Sequence, residues 1–102
     1  RFVVRRGHHE LRDRVVEAYG TARTHPKFWR ATSARSYLGR ITVPVQIHHG
    51  AADPVCPVRW SKRTHRDLRR SRLFTYAGEG HRFDAAWPLF MRRARTFFDR
   101  TL

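Results

Sequence analysis

Val43-Pro44-Val45-Gln46-Ile47-His48-His49-Gly50-Ala51-Ala52-Asp53-Pro54-Val55-Cys56-Pro57 is the stretch from which the fold is read. From Ile41 to His49 the residues are β-branched or extended in preference, which predicts a strand ended by Gly50. Pro44 lacks an N–H and belongs among the first residues of such a strand. Ala51 to Pro57, with two prolines, reads as a loop. Pro57 then starts a helix to about Arg70, with Val58, Ser61, Thr64, His65 and Leu68 on one face. Leu73-Phe74-Thr75-Tyr76 is a second short strand, and Ala77-Gly78-Glu79-Gly80-His81 a glycine-rich turn. After Asp84, a candidate helix cap, Trp87, Phe90, Met91, Ala94, Phe97, Phe98 and Leu102 recur at helical spacing, with Pro88 in the first turn.

Strand, loop, helix, strand, loop, helix describes a βαβ unit with parallel strands and a right-handed crossover. Parallel strands need helices on both faces. Two strands are few for a stable open sheet, so the remaining strands are expected outside this chain. An unpaired strand edge is expected to make the isolated piece prone to aggregation.

Upstream, His8 to Tyr19 places Leu11, Val15, Ala18 and Tyr19 at helical spacing, with Gly20 as terminator. Pro26 opens a second short helix through Phe28 and Trp29. Turn-prone residues from Ser33 to Ser36 lead to an apolar pair, Tyr37 and Leu38.

The chain has 102 residues, a formal net charge of +14 and 40% hydrophobic residues. That fraction excludes a disordered tail, and the length allows one small domain with one core. No apolar run approaches the roughly 20 residues of a membrane span. The single cysteine, Cys56, excludes an internal disulfide framework. No signal-peptide pattern follows Arg1, and a cytoplasmic location is the expectation. With Arg1 in place of Met, the chain is expected to be a segment of something longer. The basic residues are 20 Arg and 2 Lys, spread along the chain, and the longest basic runs are pairs such as Arg69-Arg70. Such charge favours polyanions, but no nucleic-acid module is present, and a solvated arginine surface is the reading preferred.

In a parallel sheet the loops after the carboxyl ends of the strands open on one rim, where sites are built. Asp53 lies in the first such loop and His81 in the second, and neighbouring strands run about 5 Å apart. A carboxylate accepting the imidazole Nδ1–H would fix the tautomer and leave Nε2 as a general base. That is the acid-and-base half of a Ser-His-Asp arrangement, in the order Asp then His.

These residues carry a family resemblance. Val43 to Pro57 resembles the acid-bearing strand and loop of α/β-hydrolases. Tyr76-Ala77-Gly78-Glu79-Gly80-His81-Arg82-Phe83 resembles their catalytic-histidine loop, and the segment ending Phe97-Phe98-Asp99-Arg100-Thr101-Leu102 their final helix. The likeness is closest to the prolyl oligopeptidase and dienelactone hydrolase branches and is detailed over residues 41–102. It implies an α/β class, a partial α/β-hydrolase fold comprising the last two parallel strands with flanking helices. Residues 1–102 would form the C-terminal part of one catalytic domain, with 1–40 a helical pre-strand segment and 41–102 the acid strand, histidine loop and final helix. By the resemblance Asp53 is the triad acid and His81 the base of a serine hydrolase acting on a peptide or ester. It implies no metal, no organic cofactor, and no nucleic-acid or membrane partner. The chain departs from the family in having no Gly-x-Ser-x-Gly: Ser33, Ser36, Ser61 and Ser71 all lack flanking glycines. The nucleophile elbow would lie before Arg1, and the 102 residues alone should not hydrolyse. A basic nucleic-acid-binding module and a non-catalytic hydrolase-like interaction domain are the alternatives.

The other chemical groups have simpler readings. Asp before Pro54 is also a common turn residue. Glu79, two residues from His81, is loop-supporting or exposed. Cys56 follows the acid strand and not an elbow, and reads as a packed thiol. His9-Glu10-Leu11-Arg12-Asp13 falls one residue short of His-Glu-x-x-His. His48 and His49 point to opposite sheet faces. Trp29, Trp60 and Trp87 sit among apolar neighbours and read as packing residues.

Overall fold

The structure, a computed structural model, describes residues 9–102. The chain divides into two compact units, one ending at Leu38 and the other running Gly39–Leu102.

In the first unit, α1 (His9–Tyr19) and α2 (Pro26–Thr32) match the expected helices. His8, expected to begin α1, lies outside the described residues. Gly20 ends α1 at φ 69°, a left-handed conformation open to glycine. The Gly20 carbonyl accepts from Trp29 Nε1 at 3.1 Å, and the Tyr19 and Phe28 rings stack at 4.9 Å. Thus Trp29 both packs and clamps the turn. The expected turn and apolar pair around Ser36 to Leu38 form instead a 3-10 helix, Ala34–Arg40.

In the second unit, β1 (Val45–Gly50) and β2 (Ser71–Tyr76) pair in parallel, Val45 opposite Ser71 and Gly50 opposite Tyr76. The connection is α3 (Val58–Asp67), and α4 (Trp87–Thr101) closes the chain. This is a partial α/β fold. β1 starts only after Pro44, four residues later than the β-branched run predicts. Proline cannot donate to the ladder, and the first ladder donor is the Val45 amide, bonded to the Arg70 carbonyl at 2.9 Å. α3 ends three residues before Arg70. Leu68 turns extended (φ −85°, ψ 141°) while its amide still caps the Thr64 carbonyl, and its side chain is buried. The residues after it must reach the start of β2, which ends the helix earlier than its periodicity suggests.

Strand alternation sends neighbouring side chains to opposite faces. Gln46 and His48 of β1, with Phe74 and Tyr76 of β2, lie on the α4 side: the His48 ring meets Phe90 of α4 edge-on at 4.8 Å. His49 faces α3, where its Nδ1 meets Ser61 Oγ at 2.5 Å. Helices therefore cover both faces, as parallel pairing requires. Leu68 and Tyr76 are the buried apolar side chains among the described residues, and Trp87, Met91, Phe98 and Leu102 are exposed. Two strands are too narrow to cover the whole apolar stripe of α4. No helix among the described residues is long and apolar enough to cross a membrane.

Candidate functional site

Both loops at the carboxyl rim are drawn together by Gly50. A Cβ there would lie 2.2 Å from the Gly80 carbonyl oxygen and 2.5 Å from that of Glu79. Glycine is required because backbone presses on backbone. The Ala51 amide donates to the Tyr76 carbonyl and the Ala52 amide to the Glu79 carbonyl, each at 2.9 Å. The acid loop is thus stitched to the histidine loop before any side chain is considered.

Asp53 organises the first loop. Its Oδ1 accepts from the Val55 amide at 2.8 Å and the Cys56 amide at 2.9 Å, an Asx turn ahead of α3. Its Oδ2 lies 2.9 Å from His81 Nδ1. The turn role and the histidine-pairing role are therefore not alternatives: each oxygen carries one. Burial pushes the Asp53 carboxyl up, but the hydrogen bonds from the Cys56 amide, the His81 ring and the Val55 amide outweigh it, and the group is held below its ordinary value. An ionised carboxylate only accepts, so His81 donates through Nδ1–H. In the neutral ring Nε2 then carries the lone pair, and it has no hydrogen-bond partner among the described residues. The Asp53 side chain is 5% exposed and the His81 ring 55% exposed. A shielded acid behind an open base is the arrangement that proton transfer to a bound molecule needs.

Glu79 does for the second loop what Asp53 does for the first. It is buried, and its two carboxylate oxygens accept from the Asp84 amide at 2.5 Å and the Ala86 amide at 3.2 Å. Asp84 is not the cap of α4, which starts too far along the chain for it. The position before the helix is Ala86, without a side-chain cap bond, and the Asp84 carbonyl accepts from the Trp87 amide at 3.1 Å. Pro88 does lie in the first turn. A buried Glu reaching forward across a turn leaves no periodic trace; its neighbours Gly78 and Gly80 were the available signal.

His49 was left by the sequence between lining and structural roles. Its Nε2 lies 2.7 Å from the Cys56 carbonyl and 3.5 Å from Asp53 Oδ2. A carbonyl only accepts, so Nε2 is protonated and Nδ1 of the neutral ring accepts from the Ser61 hydroxyl. Ser61, His49 and Asp53 thereby mimic a triad in outline. However, the His49 side chain is 10% exposed, its proton is committed to Cys56, and Asp53 is beyond hydrogen-bond distance. Ser61, His49 and the Cys56 carbonyl instead brace α3 against the acid loop. His48, on the other face, bonds Gln46 Oε1 at 2.7 Å and the Tyr76 hydroxyl at 2.8 Å. Burial, then the Arg93 charge, lower its pKa.

The Cys56 thiol belongs to the same rim: Asp53, Cys56 and His81 place one oxygen, one sulfur and one nitrogen within 4.8 Å of one another. A divalent ion bound through His81 Nδ1 would have to displace the proton it shares with Asp53 Oδ2. Glu10 pairs with Arg14 at 3.3 Å on an exposed helix face.

Parallel strands with helices on both faces, and an acid and a histidine at their carboxyl rim, define a portion of an α/β-hydrolase. The family model that matches the chain is Abhydrolase_4, TAP-like protein, over residues 18–87, and the chain belongs to that family. The matched span includes both strands, Asp53 and His81. No curated protein and no solved structure matches the chain.

Proposed function

We propose that this chain is the acid-and-base part of a serine hydrolase that transfers an acyl group to water, from an ester or a peptide. The observation that carries this reading is the 2.9 Å contact of His81 Nδ1 with a carboxylate oxygen that has no other short partner. A serine outside these 102 residues attacks the carbonyl carbon, and His81 Nε2 takes the hydroxyl proton. Asp53 holds the ring and stabilises the imidazolium. The proton passes to the departing alcohol or amine, leaving an acyl-enzyme. Water then attacks the acyl carbon with His81 again as base, and the serine is regenerated. This chemistry calls for no metal or organic cofactor. The likeness of residues 41–102 to the prolyl oligopeptidase and dienelactone hydrolase branches supports a peptide or ester substrate, with the chain as the C-terminal part of the catalytic domain.

The test is kinetic. In the complete protein, Asp53→Asn and His81→Ala should each lower the rate of ester or peptide hydrolysis by about 10³-fold or more. The 102-residue chain alone should show no turnover. Unchanged rates in the variants, or turnover by the chain alone that His81→Ala abolishes, would refute the assignment.

A further inference from the structure

We propose that a second site, at the opposite end of the strands from Asp53 and His81, binds a small ligand carrying several phosphate groups. A cleft of about 470 Å³ opens between the start of β1 and β2 and the C-terminal half of α4. Arg70, Arg72, Arg92, Arg93 and Arg100 line it, together with Phe97, and no Asp or Glu does. None of the five arginines has a carboxylate partner among the described residues. Five like charges around one cavity repel each other, and an anion in the middle relieves all of those repulsions together. The last turn of α4 presents about half a negative charge to this end, which five guanidinium groups outweigh.

Two of the five are already held. The Arg72 and Arg93 guanidinium carbons sit 4.8 Å and 4.1 Å from the Phe74 ring centroid. Stacking uses the faces of these planar groups and leaves their edge N–H donors free, the geometry that matches phosphate oxygens in pairs. The size of the cleft selects the occupant. About 470 Å³ suits a small molecule, and matching five cations in that volume takes several negative charges on a few atoms. Linked phosphates provide that density. Carboxylates strung along a peptide are too far apart, and a nucleic-acid strand calls for an extended track in place of a pocket. The six-residue strands separate this cleft from the rim, so it stands independently of the catalytic reading.

The probe is inorganic tripolyphosphate, titrated calorimetrically into the full chain. Saturable binding to one site is expected. It should weaken at least tenfold in the combined variant Arg70→Gln, Arg92→Gln, Arg100→Gln. It should stay within twofold in the control Arg59→Gln, Arg63→Gln, Arg66→Gln, which removes the same charge from exposed positions of α3. A readout without variants is protection of the cleft arginines from phenylglyoxal, mapped by mass spectrometry, when tripolyphosphate is present. Equal weakening in both variants, absence of protection, or binding of a single-stranded oligonucleotide but not of tripolyphosphate would each overturn the proposal.

Discussion

The two loops at the carboxyl rim are built on one device and end with different capacities. In each, a shielded carboxylate accepts backbone amides from residues further along the chain: Val55 and Cys56 for Asp53, Asp84 and Ala86 for Glu79. The difference is one oxygen. Glu79 spends both of its oxygens on the turn, whereas Asp53 folds its loop with Oδ1 alone and keeps Oδ2 for His81. A carboxylate committed to its own turn and one that also pairs with His81 are distinguished here by their spare acceptors, since both residues are acidic and loop-borne.

The shared contact beneath both loops is the place where this comparison breaks most easily. Gly50→Ala forces a Cβ into the Glu79–Gly80 backbone. Overpacking of that kind costs about 3 kcal/mol, measurable by denaturant unfolding, and should separate Asp53 from His81 at the same time. Glu79→Ala comes next. It strands the Asp84 and Ala86 amides, and a loss of about 2 kcal/mol is expected in the same assay. Asp53→Asn should lose about 1 kcal/mol, because the amide oxygen can still serve Val55 and Cys56. A larger stability loss from Asp53→Asn than from Glu79→Ala would reverse the assignment of roles.

The smallest effect concerns pH. His48 is held below its ordinary value of 6.5, chiefly by burial. A depressed folded value means that the unfolded chain binds more protons below pH 6.5, so stability is full above that value and declines as the pH falls toward the folded one. Asp53, also depressed, contributes stability above its ordinary 3.8 that is lost as the pH falls through its lower folded value. Two separate declines are therefore expected in a stability profile from pH 8 to pH 3, and His48→Gln should flatten the upper one only.

Much of this was legible in the residues. The β-branched run into Gly50, the Pro-rich loop, the second strand and the period of α4 placed Asp53 and His81 on one rim, because strand direction decides where loops emerge. The bounds of β1 and α3 were less legible: Pro44 lacks an amide donor and Leu68 has to turn toward β2, and both effects depend on the partner strand. Asp84 looked like a cap because its type and position suited one, but α4 begins only at Trp87, so Ala86 holds the cap position and Asp84 offers its carbonyl to the Trp87 amide. The His49–Ser61 brace joins residues 12 apart on two elements, a contact that neither helical nor strand periodicity encodes.

Oδ2 of Asp53 sets the position of the His81 proton, and nitrogen-15 NMR of the histidine rings at neutral pH reads that position. His81 should carry its proton on Nδ1 in the native chain and revert to the usual Nε2–H form in Asp53→Asn. An Nε2–H tautomer in the native chain, unaffected by Asp53→Asn, would contradict it.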